Sequence, residues 1–122
     1  MSFVEDKETI AKKAEFLLNK GYNICCEQES SIAYENERNK FIIGYEKMNN
    51  ISGIDLCFKN SKEVFSIGWI AVVRSNIQSD PYQKLENILK LLKYISDNYD
   101  KIVDLPYCLE SMDLVEKIVS RL

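Results

Sequence analysis

The chain of 122 residues carries 16 basic and 19 acidic side chains, for a net charge of −3, and it contains no histidine. This length can bury the core of one domain, and a composition of 46% hydrophobic and 29% charged residues excludes a largely disordered protein. The lack of histidine excludes Ser-His-Asp and Cys-His catalysis and every imidazole metal site, and the acidic balance argues against a nucleic-acid partner.

The first predicted element is an amphipathic helix over residues 5–20. Its apolar stripe consists of Ile10, Ala14 and Leu17 at helical spacing, and Gly21 follows as a C-cap that accepts a left-handed conformation. The residues before it are charged and lack the apolar segment of a secretory signal, and the longest apolar run, residues 67–73, is too short to cross a bilayer. We therefore expect a cytoplasmic protein with no membrane partner.

Between residues 22 and 73 the hydrophobic period changes to that of strands. Alternating apolar residues joined by short polar links predict an antiparallel meander of four strands, at residues 32–35, 41–46, 54–59 and 64–69. One face should lie on helices, which leaves the other for solvent or a partner. The β-branched segment 69–74 favours an extension of the last strand past Gly68, although a buried helical turn also fits the pattern.

Two further helices are predicted after the meander. Asp80, Pro81 and Gln83 form a capping-box pattern at the start of the first, which continues to about Asn98. Its apolar stripe consists of Leu85, Ile88, Leu89, Leu92 and Ile95. A loop interrupted by Pro106 follows over residues 99–107.

The last predicted helix covers roughly residues 109–121. Its expected inner face consists of Leu114, Val115, Ile118 and Leu122. The expected architecture is a single α+β domain over residues 1–122, with an N-terminal helix, a four-stranded antiparallel β-meander and two C-terminal helices packed on one face of the sheet.

The cysteines and glycines argue against a metal or a cofactor. No two cysteines have C-x-x-C spacing, so we expect buried, reduced thiols in place of a zinc site or a disulfide framework. The glycines lie too far apart to build a phosphate-binding loop. The residues concerned are Cys25, Cys26, Cys57 and Cys108, and Gly21, Gly44, Gly53 and Gly68.

Carboxylates are the remaining groups for chemistry. Glu27 and Glu29 are two residues apart, as are Glu35 and Glu37, so within a strand each pair would project to one face and could act as general acid and base. Solvated strand faces commonly show the same spacing, which is the simpler interpretation. The aspartates between residues 97 and 104 lack the pattern of a calcium loop and indicate an exposed acidic segment.

The charges divide into two acidic zones separated by a basic helix. Between residues 22 and 58 there are six acids and three bases, and between residues 97 and 116 six acids accompany Lys101 alone. An acidic zone on a rigid surface attracts a basic protein, and tyrosines commonly anchor such interfaces; solvated charge and core packing are the alternatives. The candidate partner-binding residues are Glu27, Glu29, Tyr34, Glu35, Glu37, Tyr45, Glu46, Asp55, Asp97, Asp100 and Asp104.

The layout of helix, meander and helices, with Tyr45-Glu46 on a strand and F-S-I-G-W-I at residues 65–70, resembles small bacterial immunity proteins. These accompany polymorphic or contact-dependent growth inhibition toxins and are typically acidic, cytosolic and non-enzymatic. The resemblance implies that the chain neutralises a cognate toxin C-terminal domain, often a nuclease, without catalytic residues of its own. Two other hypotheses remain: a carboxylate-dependent enzyme with an enclosed acidic pocket, and a structural or adaptor subunit.

Overall fold

The fold belongs to the α+β class. In chain order, helices come before an antiparallel sheet and further helices come after it. A computed structural model describes residues 3–45, 52–78 and 83–121. Within these ranges five strands follow one another across the sheet: Asn23–Glu27 (β1), Ser31–Glu35 (β2), Asn39–Tyr45 (β3), Ser52–Phe58 (β4) and Val64–Ser66 (β5). The helices are Phe3–Lys13 (α1), Glu15–Asn19 (α2), Ile67–Ser75 (α3), Lys84–Asp97 (α4), Tyr99–Ile102 (α5) and Leu105–Val119 (α6).

The antiparallel meander is confirmed, but it has one strand more than predicted. All five residues of β1 are exposed, so this strand carries no alternation of buried and exposed positions. It pairs with β2 at the edge of the sheet, and the register shifts between Ile24 and Cys26. An exposed, irregular edge strand leaves no periodic signal in the sequence.

The cysteines are less buried than predicted. Cys25 and Cys26 are exposed on β1, Cys57 is half-buried and Cys108 is buried, and all four are free thiols. The prediction of buried thiols is therefore wrong for the first two, because β1 lies outside the core. Burial raises the pKa of the Cys108 thiol to about 12, which makes it a poor nucleophile.

Alternation along the central strands separates the two faces of the sheet. Phe41 on β3 and Leu56 on β4 are paired and fully buried. Ile42 and Asp55 are also paired, but Ile42 is half-buried and Asp55 is exposed. We call the face that carries Ile42 and Asp55 the outer face. The core face packs with buried residues of the helices: Ile10, Leu17, Ile67, Ile70, Ile88, Leu92, Ile95 and Ile102.

The N-terminal helix is divided into α1 and α2 around Ala14. The predicted stripe of Ile10, Ala14 and Leu17 is buried, as expected. Gly21 has a φ of +89°, its N–H donates to the Leu18 carbonyl, and the next N–H donates to the Leu17 carbonyl. This Schellman motif is the predicted glycine C-cap.

The segment after β5 is a helix, so the favoured extension of the strand past Gly68 is wrong. Ser66 caps α3 by accepting a hydrogen bond of 3.3 Å from the Trp69 N–H. Ile67, Ile70 and Ala71 are buried at helical spacing. The cap and this spacing outweigh the strand propensity of the β-branched residues.

The C-terminal helices begin at positions other than those predicted. α4 starts at Lys84, and the expected cap residues Asp80 and Pro81 lie outside the described residues. The predicted loop 99–107 instead contains α5 and the first turn of α6, where Pro106 needs no hydrogen-bond partner for its nitrogen.

The inner face of α6 also differs from the prediction. Cys108, Ser111 and Val115 are buried, whereas Leu114 is half-buried and Ile118 is 40% exposed. The last predicted position, Leu122, lies outside the described residues. None of the described helices combines the length and the apolarity needed to span a membrane.

Candidate functional site

Three of the predicted partner-binding acids lie in ion pairs within the protein. In all three pairs the lysine lies outside the sequence window that defines the acidic zone, so a count of charges within the window missed it. The Lys59 ammonium also holds the pKa of Glu35 below its usual range. These acids contribute less net negative charge to the surface than the sequence suggested. The pairs are Lys7–Glu27 at 3.1 Å, Lys59–Glu35 at 2.9 Å and Lys93–Asp97 at 2.7 Å.

The predicted carboxylate pairs do not lie side by side on strands. Glu27 and Glu35 are the last residues of β1 and β2, and Glu29 and Glu37 lie in the turns that follow. In each pair, therefore, only the first glutamate lies on a strand, and the strand does not align the second one with it. The structure does not support the predicted acid–base geometry for these residues.

Asp104 has a local structural role as the N-cap of α6. Its carboxylate Oδ2 accepts a hydrogen bond of 3.3 Å from the Tyr107 N–H. This contact satisfies an N–H that has no partner within the helix, and the negative charge is favourable at a helix N-terminus.

We expect Asp104→Ala to lower the free energy of unfolding by about 1 kcal/mol, because it removes this cap. Asp104→Asn should be nearly neutral, since asparagine caps helices equally well. Urea denaturation of both variants tests the expectation. An equal loss in both would show that the charge, and not the cap, stabilises the helix.

Of the two predicted tyrosine anchors, one is buried and the side chain of the other lies outside the described residues. Tyr34 is 1% exposed and belongs to the core, and burial raises the pKa of its hydroxyl. Tyr34 as an interface anchor is therefore a wrong prediction. The backbone of Tyr45 ends β3, while its side chain and Glu46 lie outside the described residues.

The two acidic zones meet at one end of the molecule, but in a mixed charge environment. Glu37 and Asp104 line the same groove, where the β2–β3 turn approaches the start of α6. Arg38 and Lys59 line it too, so its acids and bases balance. Of the other acids, Glu29 and Asp100 are exposed, and no cation within the described ranges lies at ion-pair distance from them. The charges in this groove are therefore mixed, with two acids and two bases among its lining residues.

Asp55 occupies a different setting, in a groove of about 740 Å³ on the outer face. Within the described part of the chain, no donor lies within hydrogen-bond or ion-pair distance of its carboxylate. Although the residue is exposed, neighbouring atoms remove enough water to raise the pKa of Asp55. A carboxylate in this state gains more from a cationic ligand than a fully solvated one does.

The lining of this groove is mixed: Gln28, Ser31 and Gln78 contribute polar groups, and other positions are apolar or lack a side chain. Ile42 and Val72 are half-buried in the walls, and Trp69 stands beside them with 43% of its surface exposed. Gly44 and Gly53 face each other across β3 and β4 and form a strip without side chains next to Asp55. We call this site the Asp55 groove.

The chain matches no protein-family model, and no curated protein or solved structure is significantly similar to it. In the described residues, no group of three or more cysteine, aspartate and glutamate side chains is placed to hold a metal ion. The chemistry of the Asp55 groove therefore provides the argument for function.

Sequence reasoning singled out Asp55 but missed the residues that surround it. Trp69 was assigned to a strand, and the two glycines were considered only as absent parts of a phosphate-binding loop. The separation of Gly53 and Asp55 by two residues places both on one face of a strand, which was a usable signal. The pairing of Gly44 with Gly53 depends on the register of β3 and β4, which the sequence does not encode locally.

Proposed function

We propose that this protein is a non-enzymatic immunity protein that binds and neutralises the basic C-terminal domain of a cognate toxin in the cytoplasm. The observation that carries the proposal is the partly desolvated carboxylate of Asp55, which has no partner among the described residues and lines one groove with the exposed Trp69. A carboxylate next to an exposed indole is suited to bind a cationic side chain of a protein partner.

The distribution of the other acids supports a more local role for charge than the sequence suggested. Glu27, Glu35 and Asp97 already have lysine partners, so the proposed interface centres on Asp55. The exposed acids Glu29, Glu37 and Asp100 accelerate association with a basic partner through long-range attraction. Binding, and not catalysis, is therefore the proposed mode of action.

Co-expression with the products of neighbouring reading frames tests this proposal. Each flanking frame is expressed in a bacterial host with and without this chain. We expect one product to arrest growth, and we expect this chain to restore growth and to co-purify with it. The complex should weaken as ionic strength rises, because salt screens the attraction between exposed charges. If no flanking product is toxic, or if the chain fails to protect against the toxic one, the proposal is wrong.

Asp55→Asn and Asp97→Asn form a matched pair for the same assay. Both changes remove one carboxylate charge from an exposed aspartate, but only Asp97 already has a lysine partner, Lys93. We expect protection to fall with the first variant and to persist with the second. Equal protection by the two variants would place the interface outside the Asp55 groove.

A further inference from the structure

We propose that the Asp55 groove binds one arginine side chain of the partner protein, with the guanidinium on the Asp55 carboxylate and against the Trp69 indole. This inference rests on the proposed function only in taking the occupant to be a protein. It adds the chemical identity of the group that enters the groove.

The charge in the groove favours a cationic occupant. Asp55 lies in the middle of β4, opposite Ile42 on β3 and Ser66 on β5. None of these neighbours carries a positive charge, and no described cation reaches its carboxylate. A ligand cation therefore meets a carboxylate without a competing partner, and a charge-assisted hydrogen bond is among the strongest that proteins make.

The shape of the groove favours arginine over lysine. The paired glycines leave a flat strip of backbone, and the indole of Trp69 supplies an aromatic surface. A planar guanidinium stacks on an aromatic ring and donates two hydrogen bonds to one carboxylate, whereas an ammonium is compact and strongly hydrated. Ile42 and Val72 are placed to cover the methylene groups of the side chain.

The wall that carries Trp69 is fixed next to Asp55 by local hydrogen bonds. Ser66 pairs with Asp55 across the sheet, and its hydroxyl accepts the backbone N–H of Trp69 at the start of α3. The backbones of Trp69 and Asp55 are thus held on adjacent parts of one strand–helix junction. This arrangement exists without the ligand.

The test uses short peptides as probes and the fluorescence of Trp69, which is the single tryptophan in the chain. Acetylated Gly-Arg-Gly amide is titrated into the protein, followed by the peptides with lysine or with neutral citrulline in place of arginine. We expect a saturable fluorescence change with arginine, weaker binding of lysine and none of citrulline. Equal binding of citrulline would overturn the proposal, since citrulline keeps the shape of arginine without its charge.

Two variants test the carboxylate and the floor separately. Asp55→Asn should weaken binding of the arginine peptide roughly tenfold or more, because it removes a charged acceptor. Gly53→Ala should weaken it severalfold by raising the floor, and its added methyl meets no atom within 4 Å, so the fold has room for it. Asp97→Asn serves as the control and should bind the peptide as the parent does. If Asp97→Asn weakened peptide binding as much as Asp55→Asn, the overall charge of the protein would explain both losses, and the proposal would be overturned.

Thermal unfolding shows whether these losses come from misfolding. Partial burial raises the pKa of Asp55, so the folded state disfavours the ionised carboxylate. The contribution of this group to stability is therefore present at low pH, and it is lost as the pH rises through the pKa of the folded state. A neutral asparagine avoids this loss, so Asp55→Asn should melt no lower than the parent at neutral pH. If the peptide fails to bind while the chain still protects against a toxin, the arginine site is wrong and the proposed function stands.

Discussion

Phe41→Ala is expected to lower the free energy of unfolding by about 3–5 kcal/mol, the largest effect of any substitution considered. Phe41 is fully buried in the middle strand of the sheet, and its ring lies 5.5 Å from the ring of Tyr22. Removing the ring leaves a cavity in the core beside Tyr22 that neighbouring side chains fill only in part. Small domains have a total stability of about 5–15 kcal/mol, so the variant should be close to unfolding at growth temperature.

Ile118→Ala is the matched control for this experiment, and urea denaturation of both variants gives the comparison. Ile118 was predicted to lie on the inner face of the last helix, but it is 40% exposed. Its truncation should cost about 0.5 kcal/mol, as is usual at surface positions. A large loss of stability in Ile118→Ala would show that Ile118 is buried as the sequence predicted, and it would contradict the described position of α6.

Arg74→Ala is expected to cost about 2 kcal/mol, because one side chain joins α3 to α6 through several contacts. Its Nε donates to the Ser111 hydroxyl at 2.9 Å, and its guanidinium lies 4.3 Å from the centre of the Tyr107 ring. A second nitrogen donates to the Tyr107 carbonyl and lies 3.3 Å from Glu110. The variant loses these contacts and the packing of the arginine stem at once.

Glu110→Gln separates the ion pair from the other contacts of Arg74. The Glu110 side chain is 70% exposed, and ion pairs at exposed positions contribute about 0–1 kcal/mol. We therefore expect a small change in stability for Glu110→Gln and an intermediate one for Arg74→Lys, which keeps the charge but not the planar fork. If Glu110→Gln cost as much as Arg74→Ala in thermal unfolding, the ion pair would be the main contact.

Elements with a regular burial pattern could be predicted from the sequence, and elements without one could not. Phe41 and Ile43 alternate with half-buried positions, and Ile10, Ala14 and Leu17 follow a helical stripe, so β3 and the N-terminal helices were found. β1 has no buried residue to mark its period.

Helix boundaries depended on single capping contacts that compete with propensity. Ser66 and Asp104 each accept an N–H at the start of a helix. The first ends the predicted last strand early, and the second starts α6 within the predicted loop 99–107. A segment rich in β-branched residues, such as 69–74, is therefore assigned to a strand unless the cap is recognised first.

The candidate site could be predicted only in part, because its properties arise from residues distant in sequence. The sequence identified the acids, but Lys59 pairs with Glu35 from the turn after β4, and Lys7 reaches Glu27 from the first helix. Which acids remain unpaired is a property of the folded chain. The position of Trp69 beside Asp55 likewise follows from the register of β4 and β5.

The direct passage from β5 into α3 has a consequence for the thermodynamics of binding. No loop separates Ser66 from Ile67, so the helix that carries Trp69 cannot swing independently of the sheet that carries Asp55. A side chain entering between them meets groups that are already ordered, and little conformational entropy is lost on the protein's side. Association at this groove should therefore proceed with a small entropic penalty and without a slow rearrangement step.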